Sequence, residues 1–296
     1  FEEVKNEQNT LIKKIFSLFK KNFFRKNFFL IDDEIKLDDL IEKIKSLKVI
    51  SVDTEFEWRR TYHPRLSLIQ ICDGNDVFLI DCLLCKNIEK VKFIFESVQI
   101  LKVFHAVRSD TTVLFSSLGI KTNNVFDVQI AEKIINNLDV KSYSYLVEKY
   151  INLSINKSET NSNWMKRPFS NNQLKYASED VEFLIDIYTK QNKLLDKKGK
   201  LKEAFYLSKE EAGLGNQELY ISRLQKIKDK SEIDEKIFMW REELAKKKDI
   251  PTSFILSDKK LKKLSKRFFQ EGLESDLSDL IDNNEHFEDF LNCLSK

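Results

Sequence analysis

The chain has 296 residues, of which 42% are hydrophobic and 33% are charged, and its formal net charge is +2. This length allows two domains with a sizeable core, and the composition is typical of a soluble globular protein. Four cysteines in a chain of this length exclude a disulfide scaffold, and no run of about 18 apolar residues predicts a membrane-spanning helix.

The cysteines indicate a reducing compartment. Cys82 and Cys85 form a single CxxC pair, and a zinc site would need two further ligands at suitable spacing. We interpret them as ordinary reduced, partly buried thiols. No secretory signal is recognisable. A cytoplasmic location without stable membrane insertion is therefore predicted.

Residues 1–26 contain a basic amphipathic segment. Its apolar residues recur at helical spacing, with lysines between them: Leu11, Ile12, Ile15, Leu18, Phe19 and Phe23. Such a helix can lie on a membrane surface or dock on its own protein. Docking is the favoured interpretation.

Strands and helices alternate over residues 27–197. Apolar runs predict strands at 28–31, 49–53, 66–71, 77–80, 101–104 and 125–126, with a turn at 73–76 between the third and fourth. Helical spacing predicts helices at 37–47, 87–98, 127–137, 142–150 and 171–197, and another beginning near Ser109. This order predicts an α/β domain with a mixed sheet.

Only helices are predicted in the last third, at 203–212, 217–227, 233–248, 257–270 and 275–294. We expect a junction at 198–216, followed by an all-α helical domain over 217–296. Within it, residues 241–267 contain ten Lys or Arg and four acidic residues. This stretch is either a surface that meets phosphates or a solvated helix face.

Several acidic residues are placed where they can converge. Asp53 and Glu55 end a predicted strand two positions apart, so their side chains point to one face. Tyr176 and Asp180 lie four apart on one face of a predicted helix. Asp110 follows the strand at 101–104, at the start of a helix. Three elements could therefore bring carboxylates to one point.

Clustered carboxylates repel one another unless cations neutralise them, and oxygen ligands suit Mg²⁺ or Mn²⁺. Two such ions would stabilise the attacking and leaving oxygens of a phosphoryl transfer. The alternative is that these acids are unrelated. Asp and Glu total 48 in this chain, and an acid at a helix start such as Asp110 is often only an N-cap. Spacing alone leaves both interpretations open.

Longer strings of residues resemble a known family. Residues 52–56 (VDTEF) and 65–71 (RLSLIQI) resemble the first exonuclease motif of ribonuclease D, and residues 104–110 (FHAVRSD) resemble its second. The third motif matches 163–168 (NWMKRP) together with 173–180 (QLKYASED). The three motifs occur in the expected order and cover roughly residues 27–195.

The C-terminal part resembles the helical domain that RecQ-type helicases share with ribonuclease D, the HRDC domain. The matching strings are 238–245 (FMWREELA), 249–251 (DIP) and 254–258 (FILSD). In that family the domain assists nucleic-acid binding, which favours phosphate contact for the basic stretch 241–267. Trp240 and Ile250 are interpreted as core residues.

The resemblance implies a ribonuclease-H-like fold with a five- or six-stranded mixed sheet. It implies a 3′→5′ exoribonuclease that releases 5′-nucleoside monophosphates with two divalent cations and trims tRNA precursors and other structured RNAs. By the same resemblance, Asp53 bridges both ions, Glu55 and Asp180 complete the ion that activates water, and Asp110 serves the ion at the leaving oxygen. Tyr176 matches the water-orienting residue.

Other residues near the motifs are candidates for contact with RNA: Gln70, His105, Arg108, Trp164 and Arg167. The alternative is a structural hydrogen-bonding role for Gln70 and His105, and a packing role for Trp164 and Arg167. Asp127 is interpreted as a helix N-cap. Two positions depart from the family pattern, because Asn163 stands where Asp is usual and Ala106 where a polar residue is common.

Two other functions remain open. The first is a DNA 3′-5′ exonuclease of the proofreading type, which shares the tyrosine form of the third motif. The second is an inactive nucleic-acid-binding module on an exonuclease fold. The complete set of four acids and Tyr176 disfavours the inactive form.

Overall fold

The structure is a computed structural model that describes residues 26–137, 139–155, 159–225, 227, 230–271, 281, 286, 289 and 290. Within these residues the chain divides into two compact units. The sheet unit comprises the described residues of Phe1–Glu55, Ser67–Val107 and Asn123–Glu210. The helical unit comprises the described residues of Phe56–Leu66, Arg108–Thr122 and Glu211–Lys296. The amphipathic helix predicted within residues 1–26 lies outside the described residues.

Six strands form one mixed sheet in the order β1-β4-β3-β2-β5-β6. Their bounds are β1 Asn27–Ile31, β2 Val49–Glu57, β3 Arg65–Cys72, β4 Asp76–Asp81, β5 Leu101–Phe104 and β6 Val125–Asp127. β1 runs parallel to β4, and β5 runs parallel to both β2 and β6, whereas β3 and β4 are antiparallel. The predicted mixed sheet is confirmed.

A tight turn makes the antiparallel pair possible. The Asp73 carboxylate accepts hydrogen bonds from the backbone N–H groups of Asn75 and Asp76, both at 2.8 Å. Gly74 has a φ of 100°, a conformation that glycine adopts without a steric penalty. These contacts join β3 to β4 at the position where the sequence predicted a turn.

The helices of the α/β region are α1 Glu34–Lys45, α2 Lys92–Glu96, α3 Val107–Leu118, α4 Val128–Asn136, α5 Tyr143–Ile151, α6 Asn171–Glu182 and α7 Leu184–Lys197. A 3₁₀ turn at Ile88–Val91 precedes α2. The remaining helices are α8 Leu201–Gly215, α9 Leu219–Leu224, α10 Glu232–Lys248, α11 Thr252–Ile255 and α12 Asp258–Glu271.

The helix predicted over 171–197 is divided in two at Phe183. The N–H of Phe183 donates to the Tyr143 hydroxyl at 3.3 Å, and the Phe183 ring is buried in the core. A partner from another helix therefore satisfies this backbone group. The short helix α11 was not predicted, and of the predicted helix at 275–294 only four residues are described.

Each unit has its own hydrophobic core. In the sheet unit, apolar residues of β3–β6 pack with α4–α7, and the cluster includes Phe126, Val181 and Trp164. In the helical unit, Phe238 and Trp240 of α10 are central to the cluster. Ile250 packs against the same cluster. The interpretation of Trp240 and Ile250 as core residues is confirmed.

The compact units divide the chain differently from the predicted domains. Residues 56–66 and 108–122 group with the C-terminal helices, and α8 runs through most of the predicted junction at 198–216. Tyr62 packs into the core of the helical unit, and the Asn216 side chain bonds both backbone groups of Thr122. These long-range contacts explain the grouping. The predicted domain limits stay a prediction.

Among the helices in the described part of the chain, none combines the length and the apolar content needed to cross a bilayer. Cys72, Cys82 and Cys85 are free thiols, and Cys293 lies outside the described residues. Burial raises the pKa of the Cys85 thiol to about 11, so this group stays protonated at neutral pH.

Candidate active site

Three carboxylates come together in the sheet unit. Asp53 and Glu55 alternate along β2 and point to one face of the sheet, and Asp180 extends from α6. One carboxylate oxygen from each residue lies within 4.8 Å of the others. All three side chains are half-buried. We refer to Asp53, Glu55 and Asp180 as the acidic trio.

Specific contacts position α6 beside β2. The Ser51 hydroxyl on β2 donates to the carbonyl of Val181 at 2.8 Å. The Tyr143 hydroxyl donates to the carbonyl of Glu179 at 3.0 Å. At the start of α6, Ser170 and Gln173 form a capping box that satisfies two backbone N–H groups. The helix is thus held on both sides of Asp180.

Two residues of the acidic trio, Asp53 and Asp180, line a pocket of about 260 Å³. Its lining residues come from β2, the segment after β5 and the helices α5–α7: Asp53, His105, Ser142, Tyr143, Ile155, Thr160, Tyr176, Asp180 and Leu184. The lining combines the carboxylates of Asp53 and Asp180 with the apolar side chains of Ile155 and Leu184. This arrangement can hold a small group beside the carboxylates.

Tyr176 lies one helical turn before Asp180 and lines the same pocket. Its hydroxyl is 3.3 Å from the Thr160 hydroxyl, and its ring packs 6.0 Å from the Trp164 ring. Burial and the negative charge of Asp180 raise the pKa of Tyr176 above its usual value. The phenol therefore keeps its proton at neutral pH and can donate a hydrogen bond.

Asp110 is not a member of the acidic trio. It lies in the first turn of α3, belongs to the helical unit and is 3% exposed. A nearly buried carboxylate at a helix N-terminus is favoured by the helix dipole, which is compatible with either a capping or a ligand role.

The donor atoms of the acidic trio fit a hard divalent cation. Three carboxylates at this separation repel one another, and a bound cation relieves that repulsion. Their oxygens are the ligands that Mg²⁺ and Mn²⁺ prefer. The residues present therefore match the metal that the motifs implied.

Of the five candidate RNA-contacting residues, His105 is the one that lines the pocket. Its Nε2 lies 3.0 Å from the carbonyl oxygen of Lys141. Gln70, in contrast, is 0% exposed on β3, and its side-chain amide has no hydrogen-bond partner among the described residues. A side chain enclosed in this way cannot touch RNA in this conformation.

For Trp164 and Arg167, the structure favours a packing role over contact with RNA. Trp164 is buried in the core of the sheet unit. Arg167 donates to the buried carboxylate of Asp81 at 2.8 Å and to the carbonyl of Ser67 at 3.0 Å. Because these contacts neutralise Asp81 and satisfy the guanidinium, Arg167 holds the segment that contains Trp164. In the helical unit, Arg108 pairs with Glu211 at 2.6 Å.

Asp127 is the N-cap of α4, as predicted. Its carboxylate accepts from the N–H of Gln129 at 2.8 Å and from that of Ile130 at 3.4 Å. It also accepts from the N–H groups of Ala106 and Val107, at 3.2 and 2.9 Å. One side chain thus caps a helix and fixes the turn between β5 and α3.

Ala106 occupies a strained position in that turn, with a φ of 63°. This left-handed conformation disfavours a Cβ atom, and glycine adopts it freely.

We expect Ala106→Gly to raise the free energy of unfolding by about 0.5–1 kcal/mol, measured by urea denaturation. Ala131→Gly, at a buried position inside α4, is the matched control and should destabilise by about 1 kcal/mol or more. Equal destabilisation by both changes would contradict the expectation.

Several pocket residues were not found from the sequence: Ser142, Tyr143, Ile155, Thr160 and Leu184. Tyr143 opens a predicted helix and carries no motif of its own. Its only local sequence feature is its position in the string Ser-Tyr-Ser-Tyr at 142–145, which does not indicate a functional site. Ser142, Tyr143 and Leu184 reach the pocket through packing of α5 and α7, whereas Ile155 and Thr160 lie in the segment between α5 and α6. Local patterns do not reveal either arrangement.

Comparison with known proteins agrees with this geometry. The family described as 3′-5′ exonuclease matches residues 28–196, and the HRDC domain matches residues 232–271. Ribonuclease D of Desulfotalea psychrophila is 29% identical over 235 residues, which cover 75% of this chain and 62% of that protein. Ribonuclease D of Bartonella henselae is 30% identical over 270 residues, covering 88% and 66% respectively.

The fold matches a solved structure. The crystal structure of Escherichia coli RNase D, described as an exoribonuclease involved in structured RNA processing, has a TM-score of 0.78 with this chain. The two are 24% identical, and the match covers 91% of this chain and 74% of the other. The predicted α/β exonuclease fold with a following helical domain is confirmed.

Since the first family match covers more than half of the residues, the chain belongs to the 3′-5′ exonuclease family and carries an HRDC domain. The resemblance to ribonuclease D that its motifs indicated is confirmed by the relatives of that name. The chain spans 62% and 66% of the lengths of the two curated relatives.

Proposed function

We propose that this protein is a metal-dependent 3′→5′ exoribonuclease that hydrolyses RNA from its 3′ end and releases 5′-nucleoside monophosphates. The observation that carries the proposal is the acidic trio, two of whose carboxylates, those of Asp53 and Asp180, line one pocket with Tyr176. Membership of the 3′-5′ exonuclease family and the ribonuclease D relatives support the same activity.

Asp53, Glu55 and Asp180 would hold divalent cations, with Asp110 as the fourth acidic ligand. Two bound Mg²⁺ or Mn²⁺ ions would supply Lewis-acid stabilisation to the attacking and the leaving oxygen. The products are a shortened RNA that ends in a 3′-hydroxyl and a nucleotide that keeps the phosphate at its 5′ position. One water molecule is consumed for each nucleotide released.

Tyr176 orients the attacking water in this proposal. Tyr176 lines the pocket, and because burial and the charge of Asp180 raise its pKa, its hydroxyl remains a hydrogen-bond donor at neutral pH. His105 lines the same pocket and is our candidate for contact with the terminal nucleotide. Its ring is oriented by the carbonyl of Lys141.

The test uses single-stranded RNA labelled on its 3′-terminal nucleotide. With Mg²⁺ or Mn²⁺ we expect stepwise release of labelled mononucleotide, and with EDTA we expect none. If no mononucleotide is released with any divalent cation, the inactive nucleic-acid-binding module replaces the proposal. Faster hydrolysis of DNA than of RNA would instead assign a DNA exonuclease.

The RNA that we propose is a precursor with a 3′ extension beyond a folded region, as in tRNA precursors. Involvement of Escherichia coli RNase D in structured RNA processing supports this class. A tRNA transcript with a 3′ extension should be shortened to the edge of its folded part. Degradation through the folded region would argue against a trimming role.

Tyr176→Phe should lower kcat by about 10–100-fold while changing metal affinity little, because the phenol touches water rather than the cations. Metal affinity is measured from the rise of Tm with added Mn²⁺. Tyr188→Phe, which removes a phenol from the same unit away from the pocket lining, is the matched control. An unchanged kcat in Tyr176→Phe would remove this residue from the mechanism.

A further inference from the structure

An exposed, positively charged turn follows the strand that carries Asp53 and Glu55. Trp58, Arg59 and Arg60 come directly after the last residue of β2, and all three are exposed. The next two residues, Thr61 and Tyr62, are buried. We call residues 58–60 the Trp-Arg-Arg turn.

Trp58 differs from the other tryptophans. Its side chain is 37% exposed, whereas Trp164 and Trp240 are 4% and 3% exposed. A large aromatic ring left in contact with water loses the burial energy that usually stabilises it. An exposed indole beside arginines is a combination that single-stranded nucleic-acid sites use, since bases stack on the ring and guanidinium groups meet phosphates.

Hydrogen bonds inside the turn fix its conformation. The Trp58 indole Nε1 donates to the carbonyl of Tyr62 at 3.0 Å, and the Thr61 hydroxyl donates to that of His63 at 2.6 Å. The N–H of Arg59 donates to the Glu57 carboxylate at 3.1 Å. The ring of Trp58 and the two arginine side chains therefore project from a defined backbone, which lowers the entropy lost on binding.

Tyr62 anchors the turn to α10 within the helical unit. Its hydroxyl donates to the buried Glu242 carboxylate at 2.8 Å, and its N–H donates to Asp249 at 3.1 Å. Arg223 completes the contact by donating to Glu242 at 2.7 Å. Arg65 donates to Asp249 at 3.2 Å. These contacts within the helical unit set the position of the Trp-Arg-Arg turn relative to α10.

Covalent geometry keeps the turn close to the acidic residues of β2. Trp58 lies three positions after Glu55, and an extended chain advances at most about 3.6 Å per residue. The Cα atom of Trp58 is therefore within about 11 Å of that of Glu55, and that of Arg60 within about 18 Å. This range is suitable for nucleotides that precede the scissile bond.

We propose that the Trp-Arg-Arg turn binds the single-stranded RNA just upstream of the nucleotide that is removed. The indole of Trp58 stacks on a base, and Arg59 and Arg60 contact phosphates. This inference rests on the proposed exoribonuclease function, because it names how that substrate is held.

Binding is measured without cleavage, by fluorescence anisotropy of a labelled RNA of about ten nucleotides in EDTA. The double variant Arg59→Ala/Arg60→Ala should raise the Kd for the RNA by about tenfold at about 0.1 M salt. It should also reduce the slope of log Kd against log salt by about 1.4, since each phosphate contact with a single strand contributes about 0.7. The matched control is Lys202→Ala/Lys209→Ala, which removes two exposed charges from α8 and should leave both quantities unchanged.

Trp58 is tested separately because its indole also donates to Tyr62. Trp58→Ala should raise Kd between about 5-fold and about 100-fold, whereas Trp58→Phe, which keeps a ring for stacking, should raise it less. Thermal melting of each variant checks that the helical unit is folded. Equal losses in Trp58→Ala and Trp58→Phe would assign the effect to the hydrogen bond and overturn the stacking role.

The outcomes separate this inference from the proposed function. If the wild-type protein cleaves RNA and all Trp-Arg-Arg variants bind RNA as tightly as it does, the turn is not a binding site. If the wild-type protein binds RNA through the turn and releases no nucleotide with any cation, the binding inference stands and the exonuclease proposal fails.

Discussion

Asp53→Asn is expected to lower kcat/KM on RNA by at least about 10³-fold in the presence of Mg²⁺ or Mn²⁺. Asp53 lies on β2 within the acidic trio, so its carboxylate adjoins both Glu55 and Asp180. Replacing it by the neutral amide removes negative charge from the centre of the proposed cation site and changes the side-chain volume little. The loss should arise from metal binding and not from the fold.

Stability measurements distinguish these two causes. In EDTA, the three carboxylates of the acidic trio repel one another in the wild-type protein. The Tm of Asp53→Asn should therefore equal or exceed that of the wild type. Added Mn²⁺ should raise the Tm of the wild type and have little effect on the variant. Asp196→Asn, which changes an exposed acid on α7, is the control and should keep activity and the metal response. A variant that melts well below the wild type in EDTA would contradict this account.

Gly215→Ala is expected to lower the free energy of unfolding of the helical unit by about 3 kcal/mol. A Cβ atom at this position would lie 2.0 Å from the Thr111 hydroxyl, 2.7 Å from the carbonyl of Arg108 and 2.8 Å from the N–H of Thr112. Two of these atoms are backbone of α3, so the clash cannot be relieved by moving one side chain. The absence of a side chain at Gly215 lets α8 approach α3 closely.

The first turn of α3 also contains Asp110, so Gly215→Ala should reduce nuclease activity in addition to stability. Gly213→Ala is the matched control on the same helix. Nothing lies within 4 Å of a Cβ atom at Gly213, which is exposed, and its substitution should stabilise by about 0.5–1 kcal/mol. Urea denaturation measures both variants, and a stabilising effect of Gly215→Ala would refute the proposed close approach.

Much of the fold follows from local patterns in the sequence. All six strands were predicted within a few residues, because buried strands in this chain are short apolar runs bounded by Asn, Asp and Ser. Helix starts at Ser142 and Ser170 are marked by capping residues. The division at Phe183 was not predicted, because the group that takes its N–H is the hydroxyl of Tyr143, 40 residues earlier.

The candidate site was predicted in part. Period-two alternation along β2 places Asp53 and Glu55 on one face of the strand, and one-turn spacing on α6 places Tyr176 and Asp180 on one face of the helix. The burial of Gln70 and the pairing of Arg167 with Asp81 were not determined by any local pattern. Both depend on which strands become central in the sheet and which segment crosses them.

By itself, the sequence determined which acidic side chains share a face, because helix and strand periodicity is a local property of the backbone. Only the tertiary structure decided that β2 and α6 meet closely enough for Asp53, Glu55 and Asp180 to share a cation, since that distance depends on contacts such as Ser51 with Val181. It also decided that the turn after β2 is anchored by Tyr62 to α10, because residues almost 200 positions apart approach only through packing of the folded chain.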